Sequence, residues 1–324
     1  MNPQVLVGPV ELLKSSWVFF KTHWQILVSI VIVPNVLNYV ASLLLQTGKI
    51  AAVFLGVFVS IIAIILSFAM AAALVRSVQM LSGEPTKIIS VKDQYKIGFK
   101  YFWPLILVGI ISSLAAMGAF MLLIVPGIIM SVYGGLYAYA LIIDGKKGFS
   151  ALTESYSLVY NRWLAVFGRL LVITAVAVIV QILLSGIYFL VALMFGVNIY
   201  SLAAAHQQIP VLITLIGFVF NLAVQVIVGP MAVIYTYYLY ESLKVTRSQD
   251  VSVTAFKRWI VAFMIIGPIF FLLFVVSTVA LVGLQATRQA SDSQRMISSP
   301  QFQAQLQELI KQAASTTPTV QIKK

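Results

Sequence analysis

The chain has 324 residues, of which 61% are hydrophobic and only 9% are charged. An average globular protein is about 45–50% apolar and about 25% charged, so this chain has too few polar residues to cover a water-soluble core. The composition therefore argues against a soluble enzyme, and it excludes disorder everywhere except at the C-terminus. A polytopic membrane protein remains.

The basic residues lie in short segments between apolar runs. The formal net charge is +12, from 21 Lys and Arg and 9 Asp and Glu residues. Basic residues in short loops are typical of membrane topology, so we expect no nucleic-acid partner. There is no cysteine and there are only two histidines. A Cys-ligated metal is impossible, and we expect no metal site and no cofactor.

Seven apolar runs are long enough, or nearly so, for a transmembrane helix, which needs roughly 20 residues. The predicted spans are residues 25–46, 50–75, 101–125, 126–143, 164–195, 209–240 and 259–284. They predict an all-α polytopic helix bundle in residues 1–285. Residues 286–324 form a polar tail, which is either disordered or partly an amphipathic helix.

The third and fourth runs meet at Pro126 and Gly127. Proline suits the first turn of a helix and glycine permits a tight reversal, so we predict a hairpin turn there. A segment that does not fully cross is the alternative. If all seven runs cross from a cytoplasmic N-terminus, 15 of the 21 basic residues face inside. The positive-inside rule favours this topology, with the N-terminus cytoplasmic and the C-terminus outside.

Four of the five tryptophans lie where an inside segment enters an outward span. Because an indole ring prefers the headgroup level of a bilayer, the predicted interfacial anchors are Trp24, Trp103, Trp163 and Trp259. Apolar residues recur at helical spacing before three of them, which predicts amphipathic helices in the cytoplasmic interface. Plain anchoring explains this pattern. Specific lipid binding by the basic face also explains it, with candidate headgroup contacts at Lys92, Lys96, Lys100, Lys146, Lys147, Arg162 and Arg169.

Residues 120–171 carry the most specific pattern in the chain. An apolar span leads to Pro126-Gly127-Ile128, an aromatic-rich span, a charged turn, Ala151-Leu152-Thr153-Glu154-Ser155 and Trp163. This order resembles the membrane domain associated with glycerophosphoryl diester phosphodiesterases and the related YciC-like bacterial inner-membrane proteins. The resemblance implies a location in a bacterial plasma (inner) membrane. It also implies a membrane fold without chemistry of its own, because the phosphodiesterase activity of that family belongs to an appended soluble barrel.

We find no motif of a nucleophilic, metal-dependent or nucleotide-binding enzyme. The acidic residues lie in loops, interfacial segments or the tail, whereas proton relays need ionisable groups inside the membrane. Uncharged polar residues do occur within the spans, and the candidates are Asn35, Asn38, Asn221 and Gln225. They either line a polar cavity or form ordinary hydrogen bonds between helices.

These patterns predict a non-enzymatic integral membrane protein that organises or associates with lipid or partner membrane proteins. The alternative is a transporter or flippase-like protein for a small neutral or lipidic substrate. Prolines and carboxamides within the spans favour the alternative, because broken helices and polar walls are features of transporters.

Overall fold

The computed structural model describes residues 6–86, 88–195, 211–247, 252–297, 299–300, 302 and 304–305. This part of the chain is all-helical and contains no strand. Its helices are α1 (Pro9–Gln46), α2 (Ile50–Gly83), α3 (Val91–Leu122), α4 (Ile124–Gly134), α5 (Tyr137–Ile142), α6 (Phe149–Val159), α7 (Trp163–Met194), α8 (Val211–Val245) and α9 (Thr254–Ile297). Seven segments are long and apolar enough to cross a membrane, with α4 and α5 together forming one of them. The predicted bundle of seven apolar helices is confirmed.

Two of the predicted amphipathic stretches are parts of longer helices. α1 begins at Pro9 and α3 begins at Val91, and each runs on into its span. In α1 the two parts meet at His23, whose φ of −119° and ψ of 16° make a kink. An uninterrupted helix keeps its backbone hydrogen-bonded throughout, which favours continuation wherever no breaker intervenes.

The third amphipathic stretch is a separate helix, α6, but protein surrounds it on most sides. Seven of its 11 residues are buried, including the polar Ser155 and Ser157. Tyr156 stacks on Phe256 with ring centroids 4.0 Å apart and meets the Tyr133 ring edge-on at 4.9 Å. Burial, followed by the neighbouring tyrosines, raises the pKa of Tyr156 to about 12, so this phenol stays neutral. α6 is therefore part of the packed core.

The reversal between the third and fourth spans lies at Leu123, and the prediction of a hairpin turn at Pro126 and Gly127 is wrong. Leu123 is extended, with φ −160° and ψ 153°, whereas Pro126 and Gly127 lie in the first turn of α4. Proline fits there because the first four N–H groups of a helix have no intrahelical partner. Glycine fits there because a Cβ at position 127 would lie 2.2 Å from the Phe120 ring on α3 and would displace that side chain.

The fourth span consists of two helices where the sequence predicts one. α4 and α5 are separated by Gly135 and Leu136. Ser155 of α6 bridges this break, because its hydroxyl donates to the carbonyl of Tyr133 at 2.6 Å and accepts the N–H of Leu136 at 3.1 Å. Backbone groups freed by a break inside a bilayer need such partners, so Ser155 explains why α6 packs against this span.

Two glycines allow the backbone of α3 to pack directly against the backbones of two neighbouring helices. A Cβ on Gly98 would lie 2.2 Å from the carbonyl oxygen of Ala69 on α2. A Cβ on Gly118 would lie 2.1 Å from the carbonyl oxygen of Phe263, near the start of α9. Small residues at such crossings allow the close packing that holds membrane helices together.

Residues up to Gly267 form one compact unit, and residues from Pro268 onward form another. In the first unit, α8 is central and packs against α1, α2, α6 and α7. In the second unit, the side chains of residues 268–285 are exposed, which suits a helix surrounded by lipid. Most of the predicted tail helix, residues 300–314, lies outside the described residues.

Candidate functional site

α8 runs antiparallel to both α1 and α7. Its rings contact α1 near both ends, Tyr238 with Phe19 at 6.1 Å and Phe218 with Tyr39 at 3.9 Å between ring centroids. The end of the bundle at which α1 and α7 begin and α8 ends is called the charged end here. The other end, at which α1 and α7 end and α8 begins, is called the far end. Cavities lie along α8 from the far end to the charged end.

The carboxamide cavity lies between α1 and α8 near the far end and has a volume of about 290 Å³. α1 contributes four polar residues at positions i, i+3, i+4 and i+7, which share one helix face: Asn35, Asn38, Tyr39 and Ser42. α8 contributes a matching stripe: Thr214, Gly217, Phe218 and Asn221. The structure therefore brings three of the four predicted intramembrane polar residues to one cavity.

Several polar groups at this cavity have no hydrogen-bond partner among the described residues. Asn35 donates to the carbonyl of Val31 in its own helix at 2.9 Å. The Tyr39 hydroxyl is buried and has no partner. The carboxamides of Asn38 and Asn221 are exposed and make no hydrogen bond within the described part of the chain. Hydrogen bonds between helices, one of the two predicted roles of these carboxamides, are therefore absent there.

Unpaired carboxamides are costly within a membrane. Burying an amide without a hydrogen bond costs roughly 1–3 kcal/mol in proteins, and lipid tails offer no partner. Among the described residues nothing satisfies the carboxamides of Asn38 and Asn221, so water or a bound molecule with hydrogen-bonding groups would offset this cost. Gln225, one helical turn beyond Asn221, is also exposed but does not line this cavity.

A neighbouring cavity of about 190 Å³ lies between α7 and α8. Gln181 and Ser185 line it from α7, and the Gln181 amide donates to the Ser185 hydroxyl at 2.9 Å. Asn221 and Gly217 of α8 line both this cavity and the carboxamide cavity. Asn221 thus lies where the two polar cavities meet.

Towards the charged end, the polar cavities give way to an apolar groove of about 400 Å³ between α1, α7 and α8. Every described residue that lines it is apolar: Leu13, Trp17, Ile173, Val176, Ala177, Val180, Ile227, Val228 and Met231. The groove residues of α7 continue the helical stripe that carries Gln181 and Ser185 one turn further on. The seam between α7 and α8 is therefore apolar towards the charged end and polar towards the far end.

Ion pairs between segments that are distant in sequence stabilise the charged end. The Lys244 ammonium lies 2.8 Å from Oδ1 of Asp144, and Oδ2 of the same carboxylate accepts a hydrogen bond from the Tyr240 hydroxyl. Arg247 pairs with Glu154 of α6 at 2.7 Å. These contacts tie α6 and the loop before it to the end of α8. Arg–carboxylate pairs with a sheltered carboxylate are stronger than fully exposed pairs.

The seven candidate headgroup residues fall into two groups. Five are exposed, namely Lys92, Lys96, Lys100, Lys146 and Lys147. The two arginines bind the protein backbone instead. Arg162 donates to the carbonyl of Thr246 at 2.6 Å, and Arg169 donates to the carbonyl of Val7 at 2.8 Å. The exposed lysines are therefore the better placed of the candidates to meet lipid phosphates.

The predicted tryptophan anchors differ in exposure. Trp24 follows the kink of α1, and Trp24, Trp103 and Trp259 are about half exposed or more. Trp163 is the first residue of α7 and packs partly against the core. A fifth tryptophan, Trp17, lines the apolar groove, and the Lys21 ammonium lies 5.7 Å from its ring centroid.

Sequence reasoning missed three groups at these sites. Tyr39, Ser42 and Thr214 complete the polar stripes. Their helical spacing from Asn35 and Asn221 can be read from the sequence. Ser155 gave no such signal, because its role depends on a break in another helix.

A further cavity of about 360 Å³ lies at the charged end, and Glu11 and Glu241 both line it. Among the described residues, no group of three or more His, Cys, Asp or Glu is placed to hold a metal.

No protein-family model, curated protein or solved structure matches this chain.

Proposed function

We propose that this chain is a non-enzymatic integral membrane protein that binds lipid, with an acyl chain in the apolar groove between α1, α7 and α8. The observation that carries the proposal is the groove itself, whose walls are entirely apolar. Lipid tails fill such gaps between helices at low cost, because no polar group loses a water partner. Lys21 beside Trp17 places a positive charge near the groove, which favours an anionic headgroup.

Trp17 allows a direct test of the groove by fluorescence quenching. A variant that retains only Trp17, with the other four tryptophans replaced by phenylalanine, is reconstituted with brominated phosphatidylglycerol. We expect quenching to saturate at a low mole fraction of brominated lipid, because one bound chain lies beside the ring. A second variant that retains only Trp103, which is 67% exposed, should follow the bulk lipid composition.

A matched pair of substitutions on α7 controls this measurement. Ala177 lines the groove, so Ala177→Phe should fill it and reduce the quenching of Trp17 to the bulk dependence. Ala175 is exposed and does not line the groove, so Ala175→Phe should leave the saturable quenching unchanged. Identical quenching curves for Trp17 and Trp103 would contradict lipid binding in the groove.

We further propose that the chain lies in a bacterial inner membrane with the charged end cytoplasmic, as the distribution of basic residues favours. The resemblance to YciC-like membrane proteins, carried by residues 120–171, supports the same location. The chain has no cysteine, so single substitutions Asp93→Cys and His206→Cys can be labelled with an impermeant thiol reagent. We expect labelling from opposite sides of the membrane. Labelling of both from one side would overturn the orientation.

The carboxamide cavity favours a second candidate function, passage of a small neutral or lipidic substrate. Three intramembrane carboxamides with few protein partners form the kind of wall that a moving polar group needs. Such passage requires the cavity to bind an uncharged polar group, so a cavity that binds none excludes it.

A further inference from the structure

We propose that the carboxamide cavity between α1 and α8 binds an uncharged polyhydroxyl ring, such as a sugar. The ring comes either from a free sugar or from the headgroup of a neutral glycolipid. This inference does not rest on lipid binding in the apolar groove, because a free sugar needs no groove.

The polar groups that line the cavity favour a ligand that forms hydrogen bonds. The Tyr39 hydroxyl is buried without a partner among the described residues. Asn38 and Asn221 likewise have unused carboxamides within that part of the chain. Each carboxamide offers both donors and acceptors, and each hydroxyl offers one donor and two acceptor sites. This mixture matches a ligand rich in hydroxyl groups, which also donate and accept.

The lining also indicates that the ligand is uncharged. Among the described residues, no Asp, Glu, Lys, Arg or His lines this cavity or its neighbour. A charged group placed there would lose its water shell without a counter-charge, which is far more costly than placing a neutral group. Phosphorylated or ionic ligands are therefore disfavoured.

The size and the aromatic wall favour a single ring. A volume of about 290 Å³ lies at the small end of ligand sites, so the cavity holds a ring more readily than a whole lipid. The stacked rings of Tyr39 and Phe218 form an apolar part of the wall, beside the carboxamides that form its polar part. A sugar ring has an apolar C–H face and polar edges, which suits this division.

The connection to the neighbouring cavity and the groove gives the glycolipid source a physical basis. Asn221 lies at the junction of the two polar cavities, and the apolar groove continues the same seam towards the charged end. The seam thus has the polarity of a lipid, with its polar part near the far end. A sugar headgroup in the cavity leaves its tail pointing along α7 and α8.

A thiol placed in the cavity reports on its contents. Ser42 lines the cavity, and Ser42→Cys is a conservative change in a chain without cysteine. The full chain carrying this substitution is reconstituted in phosphatidylcholine nanodiscs and treated with methyl methanethiosulfonate. The labelling rate is measured with glucose, with monoglucosyl diacylglycerol in the bilayer, and with glucose 6-phosphate as the charged analogue.

We expect glucose or the glucolipid to slow labelling at least about fivefold at saturation, and glucose 6-phosphate to leave the rate unchanged. Protection by free glucose identifies a soluble sugar as the source, and protection by the glucolipid alone identifies a headgroup. Asn221→Leu should raise the probe level for half-protection about five- to tenfold, as expected for one lost hydrogen bond. Gln225→Leu removes a carboxamide outside the cavity and should have no effect.

Three results would overturn the proposal. The first is a thiol at position 42 that is not labelled, because the cavity is then closed. The second is labelling that neither uncharged probe slows, or that glucose 6-phosphate slows as much as glucose. The third is an equal loss of protection in Asn221→Leu and Gln225→Leu. Quenching of Trp17 by brominated lipid is measured separately, so failure of the lipid-binding role is distinguishable from failure of this proposal.

Discussion

Replacing Gly98 with alanine is expected to lower the free energy of unfolding of the bundle by about 2 kcal/mol or more. An added Cβ would lie 2.2 Å from the carbonyl oxygen of Ala69, a distance that real Cβ atoms do not show. The obstacle is backbone rather than a flexible side chain, so α2 and α3 must separate to admit it. Overpacking of a close contact costs about 1–3 kcal/mol, and separation of two helices adds lost contacts along their length.

The measurement is unfolding of the purified chain in mixed micelles of dodecyl maltoside and sodium dodecyl sulfate, followed by circular dichroism. Gly186→Ala is the matched control, because Gly186 lies within α7 with nothing within 4 Å of an added Cβ. Alanine is the better helix former by up to about 1 kcal/mol, so this control should be unchanged or slightly stabilised. Equal stability of Gly98→Ala and Gly186→Ala would show that α2 and α3 do not meet at Gly98.

The seven spans were predictable because their physics is local. A helix is the one way to hydrogen-bond every backbone group of a single segment within lipid, so an apolar run of sufficient length predicts both helix and span. The same reasoning places the helix ends less well. α1 begins at Pro9 and α3 at Val91, because nothing in the sequence before Trp24 or Trp103 stops the helix.

The turn at Leu123 shows where local propensity fails. Pro126 and Gly127 are strong turn formers, and sequence reasoning placed the reversal on them. In the structure the same residues serve the next helix, proline through its missing donor and glycine through its contact with Phe120. Proline and glycine fit both roles, and only the packing of α4 against α3 distinguishes them.

The sequence predicts polar residues of the carboxamide cavity but not their arrangement around it. Asn35 and Asn38 stand out as polar residues within an apolar run, and so does Asn221. The local sequence does not indicate that these residues line one cavity, because that arrangement depends on the antiparallel register of α1 and α8. That register follows from side-chain packing along both helices, such as the stacking of Tyr39 on Phe218. A one-turn shift would move each carboxamide by about 5.4 Å and separate the stripes.

The candidate headgroup residues show a related limit. Counting basic residues predicts which loops face the cytoplasm, but it cannot distinguish a free charge from one that binds the protein. Arg162 and Arg169 both donate to backbone carbonyls of distant segments, whereas Lys92 and Lys100 are exposed. Arginine is suited to this role, since its planar fork can bind two carbonyls at once.

Replacing Ser155 with alanine is expected to destabilise the break between α4 and α5 by about 1–3 kcal/mol. The serine hydroxyl is the partner of both the Tyr133 carbonyl and the Leu136 N–H, and Leu136 is fully buried. Alanine leaves the N–H without a partner in a place that water does not reach. The cost of an unsatisfied buried donor is about 1–3 kcal/mol, larger than the net value of an average hydrogen bond.

Hydrogen–deuterium exchange locates this effect, because the loss should be confined to the break. The amide of Leu136 is protected by Ser155, so peptides covering residues 133–139 should exchange faster in Ser155→Ala. The unfolding midpoint in mixed micelles should fall in the same variant. A global loss of protection would instead indicate that α6 no longer packs on the bundle.

Ser157 provides the control for this prediction because it lies two residues further along α6 and is also buried. Its hydroxyl donates to the carbonyl of Glu154 within the same helix, so it bridges no break. Ser157→Ala should therefore change stability by less than about 0.5 kcal/mol, since a bond from serine back to its own helix adds little and alanine favours helix. If both substitutions had the same effect, burial rather than the two hydrogen bonds of Ser155 would account for it. The broken fourth span would then be held by packing alone.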